Sequence, residues 1–216
     1  MLADARRAYY AQIAHIDSQI GRVLLALEEL DGGPTWIIFT SDHGEMLGER
    51  FYRFNKYCLY ESSVRVPLIV SGSAVPKGLR GKTDHRPAEL VDLYPTTLQT
   101  ANVSVPGNPV GLNLLGGEKR LASFCALHER KEEAAFMWRT KSHKLILRMK
   151  RNADDDASKC TSDDIIGGEF YDLRKDNQKW NDLYSSENPT VKKMTKELLA
   201  HLKKLQKNNL QRSKNS

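Results

Sequence analysis

Cysteine is scarce in this sequence, with only Cys58, Cys125 and Cys160 among 216 residues. Three thiols spaced so widely cannot form the paired framework of a small secreted scaffold, and they lack the close spacing of a zinc cluster. An odd number also leaves at least one thiol unpaired within the chain. Long apolar runs are missing too. None approaches the roughly 20 residues that a membrane-spanning helix needs. The opening Met1-Leu-Ala-Asp-Ala-Arg-Arg-Ala has neither the apolar centre nor the cleavage site of a signal peptide. Charge of one sign is absent from most of the chain. The net charge is +6, but residues 190–216 alone carry +7, eight Lys/Arg against Glu197, which leaves the remainder at −1. A basic tail of this kind is not the domain-wide stripe of a nucleic-acid binder. It reads as a solvated helix face with a frayed end.

The sequence does contain enough apolar material for a core. With 40% hydrophobic residues, a folded chain of this length buries roughly 70% of its unfolded surface. Ile13, Ile16, Ile20, Val23, Leu24, Leu27 and Leu30 recur at three- and four-residue steps and predict a helix over Tyr9–Leu30. Asp31-Gly-Gly-Pro34 stops it. Two unalternating apolar runs follow, Thr35–Thr40 and Val66–Val70, each patterned as a strand buried on both faces of a parallel sheet. The charged and aromatic segment between them, Ser41–Arg65, is long enough to be functional. Asp92 is placed to cap a further helix with Pro95 in its first turn and Leu93, Thr97, Leu98 and Ala101 facing inward. The order strand, helix, strand, helix indicates an α/β sandwich with a mainly parallel sheet.

Beyond Asn102 the texture changes. A Gly/Pro/Asn-rich connector, Val103–Gly117, leads to short strand candidates at 121–127, 134–138, 144–148 and 169–173. Their spacing predicts a small antiparallel sheet, crossed by a final helix over about Thr190–Lys207. The expected division is a catalytic α/β part at 1–117, an α+β subdomain at 118–207 and a disordered basic tail at 208–216.

The candidate chemistry lies after the first strand. Asp42 and His43 stand where open α/β sheets bind ligands, outside a strand's carboxyl end. A carboxylate and an imidazole side by side reach one divalent cation if the backbone turns sharply, which Gly44 permits. Such donors suit calcium or magnesium, and the imidazole adds manganese or zinc. An Asx-turn beside a surface histidine is the plainer alternative. Lys56, after an aromatic-rich loop, is placed to serve sulfate or phosphate as a three-donor point charge, or to cover its aromatic neighbours with its stem. Arg65 offers a second anion contact or an ion pair to Glu61. His128 and Glu129 read as a strand-end pair, and His85 and His15 as solvated or packed. Asp154–Asp156 and Asp163–Asp164 lack the alternation and central glycine of an EF-hand.

Taken together, three stretches resemble the second half of a type I sulfatase: Arg6-Arg-Ala-Tyr-Tyr through Asp17 to Arg22, Ile37-Ile-Phe-Thr-Ser-Asp-His-Gly-Glu-Met-Leu-Gly48, and Lys56 through Leu59-Tyr-Glu61 to Arg65-Val-Pro-Leu-Ile-Val70. Val91-Asp-Leu-Tyr-Pro-Thr96 and Phe170-Tyr-Asp-Leu-Arg-Lys-Asp176 continue the likeness towards the C-terminus. The resemblance implies an alkaline-phosphatase-like fold and hydrolysis of sulfate esters on a small molecule or glycan. It implies a divalent cation, calcium first with magnesium or manganese as alternatives, held in part by Asp42 and His43, and a sulfate contact at Lys56. The Asp-His pairing is similar to that of the branch holding choline sulfatases and phosphonate monoester hydrolases, which keeps phosphonates and phosphodiesters open as substrates.

One departure matters. The family's formylglycine nucleophile arises from Cys or Ser in Cys/Ser-x-Pro-x-Arg, and none of the three cysteines lies in that motif. The resemblance therefore places the nucleophile and the first pair of metal aspartates outside these 216 residues. It leaves a non-catalytic remnant as the rival from another functional class.

Overall fold

The computed structural model describes residues 2–30, 32–50, 52–107, 109–130, 132–150, 159–176 and 181–212. The chain separates into two compact units, Met1–Thr83 and Asp84–Ser216.

In the first unit the predicted helix begins earlier, as α1 over Leu2–Glu29. The two apolar runs become β1 (Ile37–Thr40) and β4 (Leu68–Ser71). Between them lie β2 (Met46–Leu47), β3 (Phe54–Asn55) and the single-turn α2 (Glu61–Val64). β1 and β4 pair antiparallel, with Ile37 opposite Ser71 and Thr40 opposite Leu68. This pair corrects the parallel direction expected from the sequence. Continuous apolarity reports burial and not strand direction, and the loop decides the direction here. Gly44 N–H donates to the Ser63 carbonyl at 2.7 Å, which draws the end of the excursion back beside the end of β1. Leu68 therefore enters next to Thr40, and Thr40 Oγ1 donates to the Pro67 carbonyl at 2.8 Å. At the far end Gly72 is required: its φ is +106°, and a Cβ there would lie 2.2 Å from the Thr35 carbonyl oxygen. Met46, Leu47, Cys58, Leu59 and Val75 form the small buried centre of this unit, and α1 contributes no buried residue to it.

The second unit matches its expected architecture closely. β5 (Ser123–Arg130), β6 (Glu133–Arg139), β7 (His143–Lys150) and β8 (Ile165–Asp172) form an antiparallel sheet in that order. α4 (Pro189–Arg212) seats Val191, Met194, Leu198 and Leu202 against Phe136, Trp138, Leu145 and Leu147 of the sheet. These apolar side chains recur every three or four residues on α4 and alternate along the strands, so one helix stripe closes one sheet face. Met137, Ile146, Tyr171 and Lys144, at the intervening strand positions, are buried as well. The helix therefore includes part of the segment expected as a disordered tail, while residues 213–216 lie outside the described residues.

The boundary at Thr83/Asp84 falls earlier than the change in composition near 117, and hydrogen bonds explain why. Arg86 donates to the carbonyls of Leu114, Gly116 and Glu118. Asp92, 1% exposed, accepts the Glu89 amide at 2.8 Å and the Leu112 amide at 2.7 Å, and pairs with the Arg120 guanidinium. Arg120 Nη1 also meets Glu89 Oε2 at 3.2 Å, and Glu89 Oε1 accepts the Phe124 amide of β5. Burial pushes the Glu89 carboxyl above its ordinary pKa despite the guanidinium beside it. Asp92 is thus a buried hub and not the exposed helix cap expected. It lies at the end of a 3₁₀ turn, Leu90–Asp92, that runs into α3 (Leu93–Thr100). α3 buries Pro95 and Thr96, while Thr97 is exposed, because the Thr96 hydroxyl bonds the Asp92 carbonyl and the Leu114 amide.

Candidate metal and anion site

β1 ends at Thr40 and delivers Ser41, Asp42 and His43 into an exposed loop. The loop is fixed by its own short side chains. Asp42 Oδ1 accepts the His43 amide at 2.9 Å, and Ser41 Oγ donates to the His43 carbonyl at 2.8 Å. These are the local bonds for which Asx and Ser residues are selected at strand ends. The His43 amide, with smaller help from the imidazole and Ser41, holds the Asp42 carboxyl below its ordinary pKa. His43 Nδ1 lies 2.9 Å from the Gly44 carbonyl, so Nδ1–H donates there and Nε2 keeps its lone pair. That nitrogen stands 3.5 Å from Asp42 Oδ2. Two donors at this separation can share one cation.

Gly44 is needed for a reason different from the sharp turn expected. A Cβ at this position would sit 2.0 Å from the Ser62 carbonyl oxygen. The glycine allows the backbone of the Asp42–His43 loop to lie directly on α2.

α2 reaches in the other direction too. The Ser63 hydroxyl, on a residue 2% exposed, donates to the Lys56 carbonyl, which also accepts the Cys58 amide at 2.9 Å. The structure therefore brings the Asp42–His43 loop and the Lys56 loop together through Ser63, backbone to backbone, while the Lys56 residue stays exposed. Sequence reasoning missed Ser63. A small hydroxylic residue two positions after Glu61 was the available signal, and only the fold shows that it links the two loops. The same region gains rigidity from Leu47, whose amide donates to Glu49 Oε2 at 2.6 Å and whose carbonyl accepts Arg6 Nε of α1 at 2.7 Å.

The remaining candidates sit elsewhere. Arg65 is exposed, and its amide bonds the Glu61 carbonyl at 2.8 Å. His15 and His85 are exposed, as is His128 on β5 beyond the first unit; the Glu129 side chain lies outside the described residues. Asp164 caps a 3₁₀ turn by accepting the Thr161 amide and hydroxyl, so this acidic pair serves the backbone. Asp154–Asp156 lie outside the described residues. Cys58, Cys125 and Cys160 are free thiols. Among the described residues no group of three or more His, Cys, Asp or Glu is placed to hold a metal ion. The donors Asp42 and His43 thus fit a divalent cation as part of a coordination shell, not as the whole of one.

A carboxylate–imidazole pair on a strand-end loop, tied by one serine to a lysine loop, is the arrangement within which residues 3–103 match the sulfatase family model. That segment is a sulfatase-family domain, and the chain covers only part of the sulfatase fold. Among its relatives, an arylsulfatase of Clostridium perfringens is 43% identical over 115 residues, which make up 52% of this chain and 24% of that protein. Mouse arylsulfatase K is 40% identical over 115 residues, 53% of this chain and 20% of that one. Among solved structures, a putative sulfatase from Bacteroides fragilis superimposes with a TM-score of 0.72 at 23% identity. The match covers 93% of this chain and 42% of that protein. A putative sulfatase from Bacteroides thetaiotaomicron gives 0.63 at 22% identity, over 92% of this chain and 41% of that one. These structural matches bear out the α/β architecture with its C-terminal antiparallel sheet and helix. The aligned sequence spans a quarter or less of each of the two curated relatives. No described helix is long and apolar enough to cross a membrane.

Proposed function

We propose that this chain supplies part of the active site of a metal-dependent sulfate-ester hydrolase: Asp42 and His43 as cation ligands and Lys56 as the contact for the sulfuryl oxygens. The observation that carries this reading is the 3.5 Å approach of His43 Nε2 to Asp42 Oδ2, on a loop that shares Ser63 with the backbone of Lys56. A bound divalent cation, calcium first and magnesium or manganese next, would neutralise charge growing on the sulfuryl oxygens. Asp42 stays ionised to lower pH than an ordinary carboxyl and so remains a hard anionic ligand. His43 presents Nε2 because Nδ1–H is committed to the Gly44 carbonyl. Lys56 brings a mobile ammonium with three donors to an anionic ester, favouring the transition state as charge moves onto its oxygens. The nucleophile, a formylglycine in this reading, belongs to the part of the fold outside these residues, so this chain alone is inactive. The substrate is a sulfated small molecule or glycan.

Calorimetric titration of calcium into the 216-residue chain tests the ligand roles, with Asp42→Ala expected to abolish binding and Lys56→Ala to leave it intact. Equal loss in both variants would refute the assignment. Once the rest of the fold is supplied, turnover of p-nitrophenyl sulfate should exceed that of an aryl phosphonate. The reverse order would favour the phosphonate hydrolase reading that the Asp-His pairing supports. Sulfate release by the 216-residue chain alone would refute the need for an outside nucleophile.

A further inference from the structure

The first unit is built around surfaces that it does not cover. α1 is 28 residues long and buries none of them. Yet Ile13, Ile16, Ile20, Val23 and Leu27 recur at the steps that align them on one face, the pattern of a helix that packs on something. Ile13, Ile16 and Val23 are 51%, 55% and 67% exposed. The sheet of β1 and β4 has only two strands, so each strand has an outer edge with no third strand beside it among the described residues. Phe39, Leu68 and Ile69 on that sheet are exposed as well. A two-stranded sheet and an uncovered apolar helix are each marginal in water, and contiguous exposed apolar area of this kind marks an interaction surface.

We propose that the apolar stripe of α1 and the open sheet of β1 and β4 form one docking surface, and that its occupant is the α/β portion of the sulfatase fold not contained in these residues. A second copy of this chain is the obvious competitor, since two such stripes could pair. It is the weaker candidate, because helix pairing covers the stripe and leaves the strand edges and Phe39, Leu68 and Ile69 open. An occupant bringing both strands and an apolar sheet face satisfies helix and edges together. The solved neighbours have room for it: this chain accounts for 41–42% of two sulfatase structures that it matches over more than nine-tenths of its own length. The inference rests on the sulfatase reading for the identity of the occupant, and on the exposed residues alone for the existence of the surface.

The test is co-expression of the full 216-residue chain with a tagged probe, the residues of the Clostridium perfringens arylsulfatase that precede its aligned segment. That enzyme's own remaining segment serves as the positive control for capture. Wild-type chain should co-purify at one to one, and Ile16→Asp/Val23→Asp should lower recovery at least tenfold. Leu25→Asp, 62% exposed and on another side of the helix, should behave as wild type, which separates the stripe from a general effect on folding. Failure of the wild-type chain to co-purify while the control succeeds overturns the proposal. So does a homodimer by light scattering that Ile16→Asp dissolves, since the second copy would then be the occupant. Capture without turnover of p-nitrophenyl sulfate keeps the surface and counts against the catalytic reading, so the two can fail separately.

Discussion

The Gly44 amide donates to the Ser63 carbonyl at 2.7 Å, and the space for that bond exists only because residue 44 has no side chain. A Cβ would press 2.0 Å from the carbonyl oxygen of Ser62, the residue before. The loop carrying Asp42 and His43 is therefore held to α2 by backbone, where neither partner can give way cheaply.

Gly44→Ala should push that loop off α2. Overpacking of this kind costs about 1–3 kcal/mol, read as a lower thermal midpoint of the first unit. Calcium affinity should fall with it by more than tenfold in calorimetry, although no ligand has been changed. Unaltered affinity would mean that the cation does not depend on the position of this loop.

Ser63→Ala removes the hydroxyl that holds the Lys56 carbonyl. The loss of one buried hydrogen bond costs about 1 kcal/mol. Because Gly44 bonds the Ser63 backbone, which alanine retains, calcium binding should persist, while turnover in the completed enzyme falls as Lys56 loses its placement. A matched loss of both would place Ser63 in the metal loop alone.

Arg120 is the cation between two largely buried carboxylates, Glu89 and Asp92. Arg120→Met strands both charges, and breaking a buried ionic group by removing one partner costs about 3–5 kcal/mol. Urea denaturation followed by Trp138 fluorescence should show this loss. Repeating the change in a Glu89→Gln/Asp92→Asn background should recover more than half of it, and a cost of the same size in that background would deny the ionic origin.

His201 of α4 lies against the rings of Phe124 and Trp138, with centroids 4.7 and 5.2 Å away. Burial first, then Arg120 and Lys204, lower its pKa. The unfolded chain therefore takes up a proton that the folded chain refuses as pH falls below the ordinary histidine value of about 6.5. Stability of the second unit should decline through that window, and His143, lowered mainly by burial, adds to the decline. His201→Phe should flatten the slope of denaturation free energy between about pH 7 and 5. An unchanged slope would assign the decline to other groups.

The second unit was the more legible half. Alternating apolar residues in four short runs and one amphipathic helix describe elements that bury each other locally, so period and spacing were enough to place β5 to β8 and α4 to within a few residues. In the first unit the periodicity of α1 and the apolarity of β1 and β4 were equally clear, but their partners are not within the chain's own described residues. Hence the elements were right and the pairing direction was not. In the site, Asp42, His43 and Lys56 stood out because their chemistry is unusual where it occurs. Ser63 did not, because a serine in a single-turn helix carries no signal until its neighbours are known.

Local sequence thus determined which segments coil, which extend and which side chains bring a carboxylate, an imidazole and an ammonium to the loops, since these depend on residues a few positions apart. Tertiary structure alone decided that β4 returns antiparallel to β1, that Asp92 is a buried hub, and that Ser63 gathers two loops 12 residues apart in sequence, at Gly44 and Lys56. Those outcomes rest on backbone carbonyls and amides, which every residue has, and whose meeting is set by where the chain closes on itself.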